Sequence, residues 1–199
     1  MSLLLGAGHM ARLKRLAQDF FSASSGTAID GRTPDIGAAW VASSGTWIID
    51  SSGARNNGTN ADAIITINVG RTDYDASVHL TSGISSASLF AGLIVRGDSD
   101  GRAILVEIES DDDIAAYTRT SLGAYTVISS VAFNFTSGND YVLRVTCQSS
   151  NFQVFVNGTS QFEFVSDFVG TSGPRVGMRM DTQGAGTSAY LFDRFEVDP

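Results

Sequence analysis

The stretch RAILVEIESD, residues 102–111, sets Glu107, Glu109 and Asp111 on one face of an extended segment and Ile104, Val106 and Ile108 on the other. Two carboxyls alternating along one strand are the raw material of glycoside hydrolysis, in which a retaining pair stands about 5–5.5 Å apart. No tryptophan flanks this strand to serve as a sugar platform. The expectation is therefore a solvated acidic face, with Glu107 and Glu109 as a glycosidase pair the minor alternative and no catalytic residue assigned.

Other chemistry-bearing residues are scattered. In RGDSDGR, Asp98 and Asp100 precede Gly101 as half of a calcium loop, but no bidentate glutamate follows at the required distance, so a polar hairpin turn is expected. Asp111, Asp112 and Asp113 read as a solvated turn. His9, His79 and the single Cys147 lie far apart, giving no metal set or nucleophile–base pair, and Cys147 in YVLRVTC reads as a small buried hydrophobe. Neither G-x-S-x-G nor a phosphate-cradling loop occurs. Asn57, Asn134 and Asn157 satisfy N-x-[ST] and are read as turn residues. Asp193 interrupts the stripe Ala189, Leu191, Phe195 and Val197, and a carboxylate on a buried face needs a partner.

Aromatic residues raise a different question. NFQVFVNGTSQFEF, residues 151–164, reads as two strands around an Asn-Gly turn. Phe152, Val154 and Val156 point one way, while Phe155, followed after the turn by Phe162 and Phe164, points the other. A second apolar face of this kind needs a cover: the chain's own N-terminal arm, a neighbouring subunit or a stacking glycan. A bulge would reassign the faces.

The elements that must position these residues are strands. TWIID, AIITINV, YDASVHL, SLFAGLIVR, RAILVEIE, YTVIS, YVLRVT, FQVFVN, RVGMRM and AYLFDRFEV are separated by Gly, Ser, Asn and Asp clusters such as SSGARNNGTN and TQGAGT. Ten or more such runs predict an all-β, two-sheet antiparallel jelly-roll sandwich. The 199 residues, 43% of them hydrophobic, suffice for one large core. A formal charge of −8 excludes the electrostatic footprint of a nucleic-acid or anionic-membrane partner, and no apolar run has the length of a membrane helix. Upstream, MSLLLGAGHMARLKRL lacks the order of a secretory signal. Residues 1–18 are expected to form an arm with a short amphipathic helix, its Leu3, Leu4, Leu5, Leu13 and Leu16 docking on the domain (residues 19–199) or on a neighbour.

DFFSASSGTAIDGRTPDIGAAWVASSGTWIID resembles the opening of concanavalin A-like (laminin G-like) jelly rolls, with its D-x-F start, TPD-x-G turn and two tryptophans around a short hairpin. NDYVLRVTCQSSNFQVFVNG and the closing GMRMDT…AYLFDRFEV resemble the same family's paired and last strands. The resemblance implies a fold shared by lectins, carbohydrate-binding modules, glycosidases and tailed-phage virion modules. Laminarinase-like members carry Glu-x-Asp-x-Glu, from which Glu107, Glu109 and Asp111 depart. Lectin-like members hold a structural calcium near their terminal strands, which here would fall to Asp19 and Asp193; a backbone hydrogen bond or an arginine for Asp193 is the alternative.

Three functions are expected in order. The first is a non-enzymatic structural or decoration module of a tailed-phage or phage-like particle, assembled in the host cytoplasm. It would be held by the arm and by Phe155, Phe162 and Phe164 against virion proteins or copies of itself, without nucleic acid or membrane insertion. The second is a carbohydrate-binding module or adhesin using Trp40, Trp47, Tyr117 and Tyr125 as platforms. The third is a glycosidase.

Overall fold

A computed structural model describes residues 14–50, 53–58, 62–82, 90–109, 113–136, 138–169, 173–181 and 190–199. Leu3, Leu4, Leu5, His9, Leu13, Asp111, Asp112 and Ala189 lie outside them. Every named element in the described residues is a strand, and all pairings are antiparallel.

One sheet of eight strands runs β13 (Thr159–Val165), β12 (Asn151–Val156), β11 (Asp140–Gln148), β6 (Tyr74–Ser82), β15 (Tyr190–Asp198), β4 (Gly53–Asn56), β3 (Trp47–Asp50). Its eighth strand, β1 (Ala17–Asp19), also pairs with β15. The other sheet has seven strands in the order β10 (Tyr125–Ala132), β9 (Asp113–Arg119), β8 (Ala103–Glu109), β7 (Phe90–Gly97), β14 (Arg175–Asp181), β5 (Ala63–Asn68), β2 (Val41–Ser44). This is the expected two-sheet jelly-roll sandwich. Between the sheets, period-two alternation delivers Leu143, Val145, Phe152 and Val154 from one side and Ile104, Val106, Met178 and Met180 from the other into one core.

Four strands escape a reading of runs. β1, β2 and β4 are three or four residues long, and β4 lies inside the cluster SSGARNNGTN, where pairing with β3 and β15 overrides turn-rich composition. β9 begins at Asp113, so the third aspartate of the expected turn starts a strand. The N-terminal helix is not formed by the residues of it that are described. Leu16 is not helical: its N–H donates to the Val197 carbonyl at 2.8 Å, and Ala17 opens β1. Leu16 packs on the core and Arg15 pairs with Asp198 and Glu196, so the chain enters the sandwich as an added edge of β15.

Two bulges decide what the outer faces carry. The Asn-Gly turn forms as expected, with positive φ at Asn157 (49°) and Gly158 (79°). Val154 opposes Phe162, but Phe155 opposes Ser160, so Gln161 is an extra residue. The bulge turns Phe162 and Phe164 onto the core face, where Phe164 stacks on Phe152 at 4.8 Å between ring centroids. The second apolar face therefore does not exist; Phe155 alone is left outside, under the Arg144 guanidinium at 4.0 Å. In β15 the register shifts between Phe192 and Arg194, so Phe192, Phe195 and Val197 are buried and Asp193 stands exposed.

Candidate functional site

On the seven-stranded sheet, alternation sends Glu107 and Glu109 of β8, Phe90 of β7, and Arg179 and Asp181 of β14 away from the core. They are not solvated, as the sequence suggested: Glu107 is 1% exposed, Arg179 5% and Glu109 7%. Register explains how they meet. Arg179 pairs with Gly92 of β7, and Gly92 pairs with Glu107 of β8. The arginine crosses the bare glycine and gives Nη1 to both oxygens of Glu107, at 2.7 and 2.6 Å. A Cβ at Gly92 would lie 2.1 Å from the Val106 carbonyl oxygen, and one at Gly177 2.0 Å from that of Ile65, so neither position admits another residue.

Asp62, just before β5, completes the cluster. Its Oδ1 accepts from Arg179 Nε at 2.7 Å and from the Tyr125 hydroxyl at 2.6 Å, and its Oδ2 accepts from Arg119 Nη2 at 3.0 Å. Four strand intervals separate β9 from β5 and five separate β10 from it. In a flat sheet, at about 4.8 Å per interval, those margins would stand roughly 19–24 Å apart. Arg119, Tyr125 and Asp62 meet because the sheet curls, so this face is concave and the Tyr125–Asp62 contact spans it as a strut. A cavity of about 210 Å³ is lined by Phe90, Glu107, Tyr117, Tyr125, Arg179 and Asp181. A second, of about 130 Å³, is lined by residues that include Val41, Ile64, Thr66, Arg102, Arg119 and Arg175.

The rings of the first cavity are held in place. Tyr117 and Tyr125 meet edge to face, centroids 6.4 Å apart at 87°, and the Tyr117 hydroxyl donates to Glu109. The Arg179 guanidinium stands 4.6 Å from the Tyr125 ring centroid and 5.8 Å from that of Phe90. All three of its nitrogens are engaged, since Nη2 donates to Asp181 at 3.1 Å.

Charge and burial set the ionisation. Burial works to raise the Asp62 pKa, but the bonds from Tyr125, Arg179 and Arg119 prevail and hold it below its ordinary value. Burial pushes Glu107 up, opposed by the charge of Arg179. Burial also disfavours the Arg179 cation, yet Glu107 and Asp62 outweigh it and raise that pKa. Two short bonds from one guanidinium nitrogen to both Glu107 oxygens are the pattern of an ion pair. The Tyr125 phenol is raised by burial and by its contact with Asp62, so it donates.

The remaining expected site residues are not brought here. Trp40 and Trp47 are 0% and 1% exposed in the core, leaving no ring face for a sugar. Trp40 Nε1 donates to Asp19 Oδ2 at 2.7 Å. That fully buried carboxylate is also paired with Arg32 and accepts from the Phe21 N–H at 2.9 Å. Asp193 stands exposed, and no group of three metal-ligating side chains occurs among the described residues. Asp98 closes its hairpin by accepting from the N–H groups of Asp100 and Arg102 and from Arg102 Nε. Cys147 is buried, its thiol pushed up to about 12.

Of the expected platforms, Tyr117 and Tyr125 line the cavity, and of the expected acids, Glu107, with Glu109 held behind it by the Tyr117 hydroxyl. Both oxygens of Glu107 are engaged by Arg179. Arg179, Asp62, Arg119, Phe90 and Asp181 were not anticipated. A signal was present: in RVGMRMD an arginine sits between two methionines of a buried strand and must face a counter-charge on the other side.

No protein-family model matches the chain, and no curated protein matches it. Solved structures do. The carbohydrate binding module CBM66 from Bacillus subtilis superposes with a TM-score of 0.67 at 15% identity, over 80% of this chain and 95% of that one. The Caenorhabditis elegans galectin LEC-6 gives 0.52 at 14%, over 67% and 89%. The Crh5 transglycosylase gives 0.57 at 11%, over 92% and 84%. At such identities the likeness shows the fold, which serves binding modules, lectins and enzymes alike.

Proposed function

We propose that this chain is a carbohydrate-binding module that takes a sugar in the concave cavity of its seven-stranded sheet and carries out no reaction on it. The observation that carries the reading is the cavity's composition: two fixed tyrosine rings and a phenylalanine beside several carboxylates gathered around one arginine. Rings supply flat apolar surface for a sugar's C–H face, and carboxylates accept from its hydroxyls. The volume suits a single ring better than a long oligomer. Similarity to the B. subtilis binding module and to a galectin supports the assignment.

Calorimetric titration of a panel of soluble polysaccharides should find a ligand, and Tyr117→Ala should weaken it by about tenfold, the worth of one aromatic contact. A panel with no binder at high protein concentration, or binding indifferent to Tyr117→Ala, would sink the assignment to this cavity.

The expectation of a place in a phage particle drew on the family resemblance, the unexported start, the apolar arm and the absence of a catalytic constellation, with the arm and an aromatic sheet face as its anchors. Residues 1–13 lie outside the described part, and the aromatic face is dissolved by the β13 bulge. The carbohydrate reading keeps its support without either.

A further inference from the structure

The charge balance of the cavity narrows its ligand further. Glu107, Asp181 and Arg179 line it, and Asp62, Glu109 and Arg119 are bonded to its lining residues, so that four carboxylates stand against two guanidiniums. With all six ionised, the count is two positive against four negative, a net of −2, inside a protein whose formal charge is −8. An arginine in a sugar site is ordinarily the group that would fix a carboxylate or sulfate, but Arg179 is not available for that. Its Nε is on Asp62, its Nη1 on both oxygens of Glu107 and its Nη2 on Asp181. Arg119 is spent likewise, on Asp62, the Gly101 carbonyl and the Tyr125 hydroxyl. What the cavity turns to a ligand is acceptor oxygen and aromatic surface, both of which suit a donor of hydroxyl protons. An entering anion would meet like charge where low exposure screens it little.

We infer that the site selects uncharged sugar units and rejects acidic ones such as uronates and sulfated sugars. This deepens the carbohydrate-binding reading and rests on it. Arg179 serves as a clamp that fixes the acceptors in place, not as the reader of an acid.

The test takes each neutral polysaccharide that binds, together with its carboxymethyl derivative and the methyl ester of that derivative, which keeps the added bulk and removes the charge. Affinity for the carboxymethyl form should fall at least about tenfold below that for the ester, and the gap should narrow as salt rises. Asp181→Asn, checked for folding by its melting curve, should narrow the gap at low salt. The salt series keeps the result decisive if that variant does not fold. Equal or tighter binding of the acid form overturns the inference and leaves carbohydrate binding standing. Much tighter, salt-sensitive binding of amine-bearing chitosan oligomers overturns the preference for uncharged units. A panel with no binder removes both.

Discussion

Arg179 is 5% exposed with carboxylates on all three of its nitrogens, so taking it away strands above all the charge of Glu107, which is 1% exposed. Arg179→Met should cost about 3–5 kcal/mol in a urea denaturation, the usual penalty for orphaning a buried ion, and adding Glu107→Leu should return part of that loss. Two carboxyls on Arg179, Asp62 and Glu107, respond to pH in opposite directions. Asp62 lies below its ordinary 3.8, so the stability it contributes is present above that pH and is lost as pH falls through its lower folded value. Glu107 lies above its ordinary 4.5, so the folded state holds a proton the unfolded chain has released, and stability declines as pH rises from 4.5 through the folded value. In Glu107→Gln that decline should vanish: the wild type's advantage over the variant, read from urea midpoints, should be largest at low pH and shrink as pH rises. Glu107 and Glu109 were legible in the sequence because alternation in RAILVEIE fixes their face. Their burial was not, because what covers Glu107 is an arginine 72 residues away, placed by a strand order that alternation along one segment does not reveal.

Strand existence was written in the β-branched and aromatic runs, and the Asn-Gly turn between β12 and β13 was readable to the residue. Bulges were not, since an inserted residue leaves no mark in composition and becomes visible only against the partner strand. The faces of Phe162, Phe164 and Asp193 were misassigned for that reason alone. The same point gives a sharp test. Phe192 opposes Leu80 and Arg194 opposes His79, so Asp193 is the residue in excess, and deleting it should leave regular pairing on both sides with the cooperative melt retained. Deleting Arg144 from unbulged β11 instead turns either Val145 and Cys147 or Tyr141 and Leu143 out of the core. At about 1.5–3 kcal/mol for each side chain, that is about 3–6 kcal/mol, a large share of the roughly 5–15 kcal/mol that keeps a domain folded. Circular dichroism should show the first variant folded and the second largely unfolded. Gly92→Ala, with 2.1 Å to a carbonyl oxygen, should be destabilised by about 1–3 kcal/mol or more.

For the molecule as a whole, the arm and the sandwich overlap where the sequence drew a border at residue 18. Ala17 is fully buried, and Asp19 ties Trp40, Arg32 and the Phe21 N–H together. A chain starting at residue 20 should melt at a lower temperature than one starting at residue 14, and light scattering of the latter beside the full protein will show whether residues 1–13 drive self-association. The curl of the seven-stranded sheet was beyond reach of the sequence, because it is a property of five strand intervals acting together. It also has a bearing on how the protein keeps to itself in a crowded solution. β10 is an edge strand, and an edge left flat is a template on which a second copy can add its own strand. The strut from Tyr125 to Asp62 fastens that edge in its inward curl over the cavity. Cutting it with Tyr125→Phe should therefore show itself less in the melting temperature than in slow, concentration-dependent aggregation, with β10 the segment that seeds it.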